Sequence, residues 1–328
     1  PTKIYSLNPI FLVILPLSNV LAKPYCIMLK LGQSLGTRAK PVAGLPIDEI
    51  SSAPQGAWSL RKLSSTYTGP VLIANSTSGY TATVYFDTHG EVSLNSATNM
   101  GSYGYPTLKD WAWNEGDGNL WVSTWYDQSG GTTRNATQTI AGDMPILTEG
   151  GVLVKQGSFL FADDYFKVLN YKFPNPNDSC TILAVARPTN SDAMGIVTDI
   201  ESFNDGVELI YASNSWDWRI KNSDLNNNPI DPVINGKFQI AIAVYDTSLG
   251  SNQQKLYVNG ILTQQNCTED KHVASTDRFR IGARITTSNQ MDGNIAEAMI
   301  WDAALSEADI HKLQHNIFMH YSIPKGSP

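Results

Sequence analysis

The sequence predicts an all-β protein: a β-sandwich with an extended N-terminal arm and a short C-terminal helix. Three observations lead there. Apolar and polar residues alternate in short runs such as Phe279-Arg280-Ile281 and Leu256-Tyr257-Val258, the period-two mark of strands. Clusters such as Gly116-Asp117-Gly118-Asn119, Asn204-Asp205-Gly206 and Asn226-Asn227-Asn228-Pro229 separate the runs with residues that suit tight turns. The composition agrees, with 42% hydrophobic residues, only 16% charged, 25 glycines and 17 prolines, a turn-rich chain with ample core material. No block of roughly 20–50 residues repeats, which disfavours solenoids and propellers.

Residues 1–54 are unlike the rest. Phe11, Leu12, Val13, Ile14 and Leu15 form an apolar run. With Pro9, Pro16 and Asn19 around it, the run is too interrupted for a membrane span, which needs about 20 apolar residues. Lys3 before it and Val20-Leu21-Ala22 after it have the layout of a secretory signal, but the reading taken here is a retained arm. A greasy segment facing water is a liability, so it is expected to be covered. The preferred cover is other subunits of a large assembly, reached through residues 1–40. Membrane contact is less favoured, and an added strand on the chain's own sheet is the bland alternative. Residues 31–55, with Gly32, Gly36, Gly44, Pro41, Pro46 and Pro54, read as an extended linker.

Strands are then expected at 71–74, 82–86, 120–123, 159–161, 195–197, 207–211, 216–220 and 238–245. Residues 180–186 read as a buried central strand in which Cys180 is a small apolar side chain. Lys255-Leu256-Tyr257-Val258 meets Asn259-Gly260, a hairpin signal, and returns through Ile261. Ile295, Ala298, Ile300 and Trp301 make a last apolar strand, and Ser306 caps a helix whose Glu307 and Asp309 suit its positive end.

This closing order resembles the C-terminal end of laminin-G and concanavalin A-like jelly rolls. Upstream, Trp125-Tyr126-Asp127-Gln128-Ser129-Gly130 with Arg134-Asn135-Ala136-Thr137-Gln138, and before them Ala57-Trp58-Ser59-Leu60-Arg61, resemble a lead-in module. It is similar to the first part of the catalytic sandwich of fungal α-L-arabinofuranosidases and to lectin-like domains of phage and large-virus structural proteins. The resemblance spans roughly residues 55–322 and implies a concanavalin A-like β-sandwich, with a lead-in module at 55–150, a jelly-roll core at 151–322 and a tail at 323–328. It also implies a non-catalytic virion or extracellular surface component with a lectin-like face, with a secreted glycosidase and a cell-surface adhesion module as alternatives.

A net charge of −7 without any basic run argues against nucleic acid as a partner. Cys26, Cys180 and Cys267 lack metal-knuckle or dithiol spacing, so no disulfide framework or metal site is expected. Cys267 sits in a polar loop and reads as exposed enough for an intermolecular bridge. His311 and His315 share a helix face, read as solvated. The sequons at Asn75, Asn135, Asn177 and Asn266 permit glycans without requiring them.

Phosphate loops and Gly-x-Ser-x-Gly are absent, which leaves nucleotide enzymes and α/β-hydrolases without support. Hydrolysis of a glycoside would need two carboxyl groups, and the candidates are Asp199, Glu201 and Glu208. The same acidic loop, with Asp205, would also suit a structural calcium ion, and no other cofactor is expected. Glycan binding asks only for an aromatic face beside hydrogen-bonding groups. Trp216 and Trp218 with Asp217 and Asn214, and Trp111 and Trp113 in a loop near Glu115 and Asp117, are the candidates. Asp127 and Gln128 are expected to serve a structural turn.

Overall fold

The computed structural model describes residues 44–114, 117–131, 134–155, 157–169, 171, 178–190, 192–200, 206–221, 223–227, 237–267, 269, 279–285 and 288–323. They belong to one unit, Ala43–Pro328. The arm, with Phe11, Leu12, Val13, Ile14 and Leu15, lies outside the described residues, as do Glu201 and Asp205 of the expected calcium loop.

Antiparallel hydrogen bonding orders a front layer as Thr81–Val84, Leu72–Ser76, Leu120–Trp125, Ala136–Thr137, Phe166–Val168, Phe279–Ile281, Met194–Asp199, Val207–Ala212, Ser215–Ile220 and Ser223–Asn227. A back layer runs Gly56–Ser59, Ser288–Trp301, Cys180–Pro188, Gln239–Tyr245, Gln254–Val258, Ile261–Gln265. Strands Phe159–Asp164 and Ile146–Glu149 carry hydrogen bonding round from one layer to the other. The expected hairpin forms, with Asn259 at φ 50° and Gly260 at φ 90°.

Because successive strand residues point to opposite faces, each layer contributes alternate side chains to the interior. Trp125, Phe166, Phe279, Leu209, Trp216 and Trp218 from the front meet Ile182, Ala184, Ala243, Leu256 and Ile300 from the back in one buried cluster. A second cluster lies behind the back layer. There Leu183, Val185, Ile242, Met299 and Trp301 pack against Ile310, Leu313 and Ile317 of the C-terminal helix, Glu307–Tyr321. Ser306 caps that helix by accepting the Asp309 N–H at 3.2 Å.

A charged knot lies between helix and sheet. Glu297 is fully buried, paired with the Arg61 guanidinium, and accepts the Tyr321 hydroxyl at 2.9 Å, while Arg61 Nη1 donates to Asn316 Oδ1 at 2.8 Å. The pair offsets its own desolvation only because further hydrogen bonds complete it.

The Trp125–Gly130 motif acts as a clamp on strand Gly56–Ser59. The Asp127 carboxylate accepts the N–H groups of Ala57 and Ser129, both at 2.9 Å, and of Arg134 at 3.2 Å. Gln128 is fully buried, accepts the Leu63 N–H at 2.9 Å and donates to Ser59 O and Arg61 O at 2.9 and 3.2 Å. The side-chain amide thus stands in for a sheet partner where strand pairing stops.

Three local expectations need correcting. Residues 45–52 do not run as a linker: Ile47 and Ile50 pack on the second cluster, Ile47 N–H donates to Leu63 O at 3.1 Å and Trp301 Nε1 to Ser52 O at 3.0 Å. Trp111 and Trp113 stand on a helical segment, Leu108–Asn114, since Thr107 accepts the Asp110 N–H and seeds a turn where a loop was expected. Cys267 is buried and its N–H donates to Gln253 Oε1 at 3.1 Å, so its place in a polar stretch did not make it exposed.

Candidate functional site

The pleat decides which candidates can meet a ligand. Trp216 and Trp218 lie on the inner face of the front layer, fully buried, with indole N–H groups donating to Gln239 Oε1 at 2.5 Å and Val244 O at 3.3 Å. Neither offers a ring face to a sugar. Trp111 is likewise buried in the core, and Asn214 takes a left-handed turn position at φ 62° beside Ser213, joining the strands that carry Tyr211 and Trp216. The carboxylates separate in the same way. Thr198 lies opposite Glu208 and Asp199 opposite Val207, so Asp199 points into the sandwich while Glu208 points out of it. These two do not form a pair across one bond.

The outer face of the front layer is polar along one register row: Thr124, Thr137, Lys167, Arg280, Thr198, Glu208, Arg219 and Asp224 stand directly opposite one another strand by strand. Its centre is covered by residues 282–285. Gly195 permits this approach, because a Cβ there would fall 2.1 Å from the carbonyl carbon of Ala283. Thr198 Oγ1 donates to Ala283 O at 2.7 Å, and Arg284 Nη2 reaches both Glu208 oxygens at 2.9 and 2.5 Å. Burial pushes the Glu208 carboxyl up and the Arg284 charge pulls it back only in part. Asp217, one step diagonally along the same face, bonds Arg219 Nη2 at 3.2 Å and is pushed up to about 6 by burial, against the pull of Arg219.

A second, open arrangement lies at one end of the sandwich, where the turns after Ser76, before Leu120 and after Glu149 meet. Thr77 Oγ1 donates to Asp117 at 3.2 Å, Asn119 donates to the same carboxylate through its backbone N–H at 3.0 Å and its side chain at 3.1 Å, and Asn119 Oδ1 accepts the Gly150 N–H at 3.0 Å. Gly118 O accepts from Gly151 N at 2.9 Å and Thr148 Oγ1 at 2.8 Å. Gly118 has φ 72° and a Cβ there would sit 2.2 Å from Gly151 N, so this junction requires glycine. The Trp113 indole lies beside Gly151, yet is 64% exposed, and Tyr80 in the adjoining hairpin is 52% exposed. The Asn119 N–H bond holds the exposed Asp117 carboxyl below its ordinary value. Of the expected glycan-binding residues, Trp113 alone keeps an open ring. Asn119, Thr77 and Tyr80 were missed by sequence reasoning, although Asp117-Gly118-Asn119 was visible as a turn.

Among the described residues no group of three or more histidine, cysteine, aspartate or glutamate side chains converges to hold a metal ion.

The model of the concanavalin A-like lectin/glucanases superfamily matches residues 161–311. The fold is concanavalin A-like. Among solved structures, this sandwich is similar to a glutamine variant of a GH54 α-L-arabinofuranosidase soaked with 4-nitrophenyl α-L-arabinofuranoside, at 13% identity and TM-score 0.58. It is equally similar to an arabinofuranosidase complexed with arabinofuranosyl-α-1,2-xylobiose, at 14% identity and TM-score 0.58. Each likeness covers 84% of this chain and 65% of the enzyme, so the chain spans about two thirds of their length. The botulinum neurotoxin serotype D binding domain is a more distant likeness, at TM-score 0.42 and 20% identity over 60% of this chain and 48% of that one. No curated protein matches the sequence.

Proposed function

We propose that this concanavalin A-like sandwich recognises glycans without hydrolysing them, as a component of a virion or similar extracellular assembly. The observation that carries the non-hydrolytic reading is the state of Glu208: the one outward-facing carboxylate among the described hydrolytic candidates is buried and held at both oxygens by Arg284. A general base or nucleophile must be free to reach a sugar. The open Trp113 corner supports binding, since an exposed indole next to Gly151, at the junction that Asp117, Gly118 and Asn119 frame, matches what a sugar ring presents. The apolar run 11–15 supports a seat in an assembly through residues 1–40, and no helix among the described residues is long and apolar enough to cross a membrane.

One observation favours a hydrolase as the second reading. Glu208 and Asp217 are diagonal neighbours on one sheet face, a relation that places such residues roughly 7–8 Å apart. Carboxyl groups of inverting glycosidases stand about 6.5–9.5 Å apart, and the proton held by Asp217 to about pH 6 suits an acid. The test is to incubate the full chain with 4-nitrophenyl α-L-arabinofuranoside and, separately, to measure its retention on immobilised polysaccharides. Retention without release of nitrophenol is expected. Turnover that Glu208→Gln or Asp217→Asn abolishes would overturn the proposal.

A further inference from the structure

Resting on the glycan-binding reading, we infer that the Trp113 corner is the sugar-contacting site and that it takes neutral sugar rings in preference to acidic ones. The ring is presented, not merely exposed. Trp113 stands at the end of Leu108–Asn114, whose Trp111 and Leu108 are fully buried, and its indole borders Gly151, whose N–H is tied to Gly118 O. Neither glycine carries a side chain that would prop the indole away from the backbone, and the ring's polar neighbours are fixed by five hydrogen bonds among Thr77, Asp117, Asn119, Gly118 and Gly150–Gly151. A preformed frame of this kind spares a ligand the cost of ordering loops.

The chemistry follows from the side chains. An indole face covers the C–H side of a sugar ring, and a carboxylate accepts hydroxyl protons at the ring's edge. Asp117 stays ionised to low pH, and its lone pairs exceed the three bonds it accepts from Thr77 and Asn119. The helix that carries Trp113 also carries Asp110 and Lys109, and Glu149 directly precedes Gly150, whose N–H Asn119 holds. Three carboxylates against one ammonium repel uronic and sialic acids and tolerate neutral hexoses and pentoses.

The full chain is titrated by calorimetry with arabinoxylan and β-glucan oligosaccharides, and in parallel with oligogalacturonate and sialyllactose. Neutral oligosaccharides are expected to bind, and Trp113→Ala to weaken them about tenfold or more with an unchanged melting temperature, because the side chain is largely exposed. Asp117→Asn is expected to narrow the preference against acidic sugars while keeping neutral binding measurable. Neutral binding left intact by Trp113→Ala, or a wild-type preference for the acidic set, overturns the inference and leaves the glycan-binding reading standing. Failure of every glycan to bind overturns both.

Discussion

Replacing Glu297 by alanine removes one half of a buried ion pair. The carboxylate is fully buried beneath the C-terminal helix, where it pairs with the Arg61 guanidinium, accepts Tyr321 Oη at 2.9 Å and takes a longer bond from Ser59 Oγ at 3.4 Å. Arg61 itself is only 7% exposed, and after the substitution it keeps one described side-chain acceptor, Asn316 Oδ1 at 2.8 Å. Hydrogen bonds to charged groups contribute about 1.5–3 kcal/mol each, but they do not add in full when the neighbours relax. A buried charge stripped of its partner costs about 3–5 kcal/mol, and that is the loss expected for Glu297→Ala. The double change Arg61→Met with Glu297→Met removes both charges while roughly keeping volume, and is expected to lie within about 1–2 kcal/mol of wild type. Guanidinium unfolding followed by tryptophan fluorescence and far-UV circular dichroism measures both, and coincident transitions justify a two-state free energy. A Glu297→Ala cost below about 1 kcal/mol, or a double variant less stable than Glu297→Ala, would refute the argument that an orphaned guanidinium dominates the loss.

Two further predictions concern other buried carboxylates. Asp127→Ala leaves the N–H groups of Ala57, Ser129 and Arg134 without their acceptor; a loss of about 2–4 kcal/mol is expected in urea unfolding, with Asp127→Asn costing less, and an unchanged midpoint for the alanine variant would show that the clamp is dispensable. Asp164 is pushed up to about 7 from 3.8, by burial foremost and by Asp143 and Asp163, with the Ala162 N–H bond opposing. Its folded form therefore holds a proton that the unfolded chain releases, and stability falls as pH rises from about 4 to about 7. Asp164→Asn, which can still accept from Ala162, is expected to match wild type near pH 4 and to exceed it by about 1–2 kcal/mol at pH 8; parallel melting curves for the two proteins across that range would contradict this.

Much of the sandwich was legible because its signals are local. The alternation in Phe279-Arg280-Ile281 reflects a pleat of period two, Asn259-Gly260 reflects the left-handed backbone of a tight hairpin, and Ser306 before Glu307 and Asp309 reflects the unpaired N–H groups that begin a helix. The structural role of Asp127 and Gln128 was also expected from a turn-rich motif, although its target, a strand about 70 residues earlier in sequence, was not.

What sequence alone determined, then, is the alternating pattern, the turns and the supply of core residues. Tertiary structure decided which of the two faces of each strand became interior. A pleat divides Trp216 and Trp218 from Asp217 and Arg219 but carries no mark of which set meets another layer, and only the stacking of front on back buried the tryptophans. The same parity sent Asp199 inward and Glu208 outward, and the approach of residues 282–285 over Gly195 brought Arg284 onto Glu208. Trp113 became the open ring for a comparable reason: its exposure depends on turns at 77, 118 and 151 meeting in space, and no local pattern records which distant turns share an end of the sandwich.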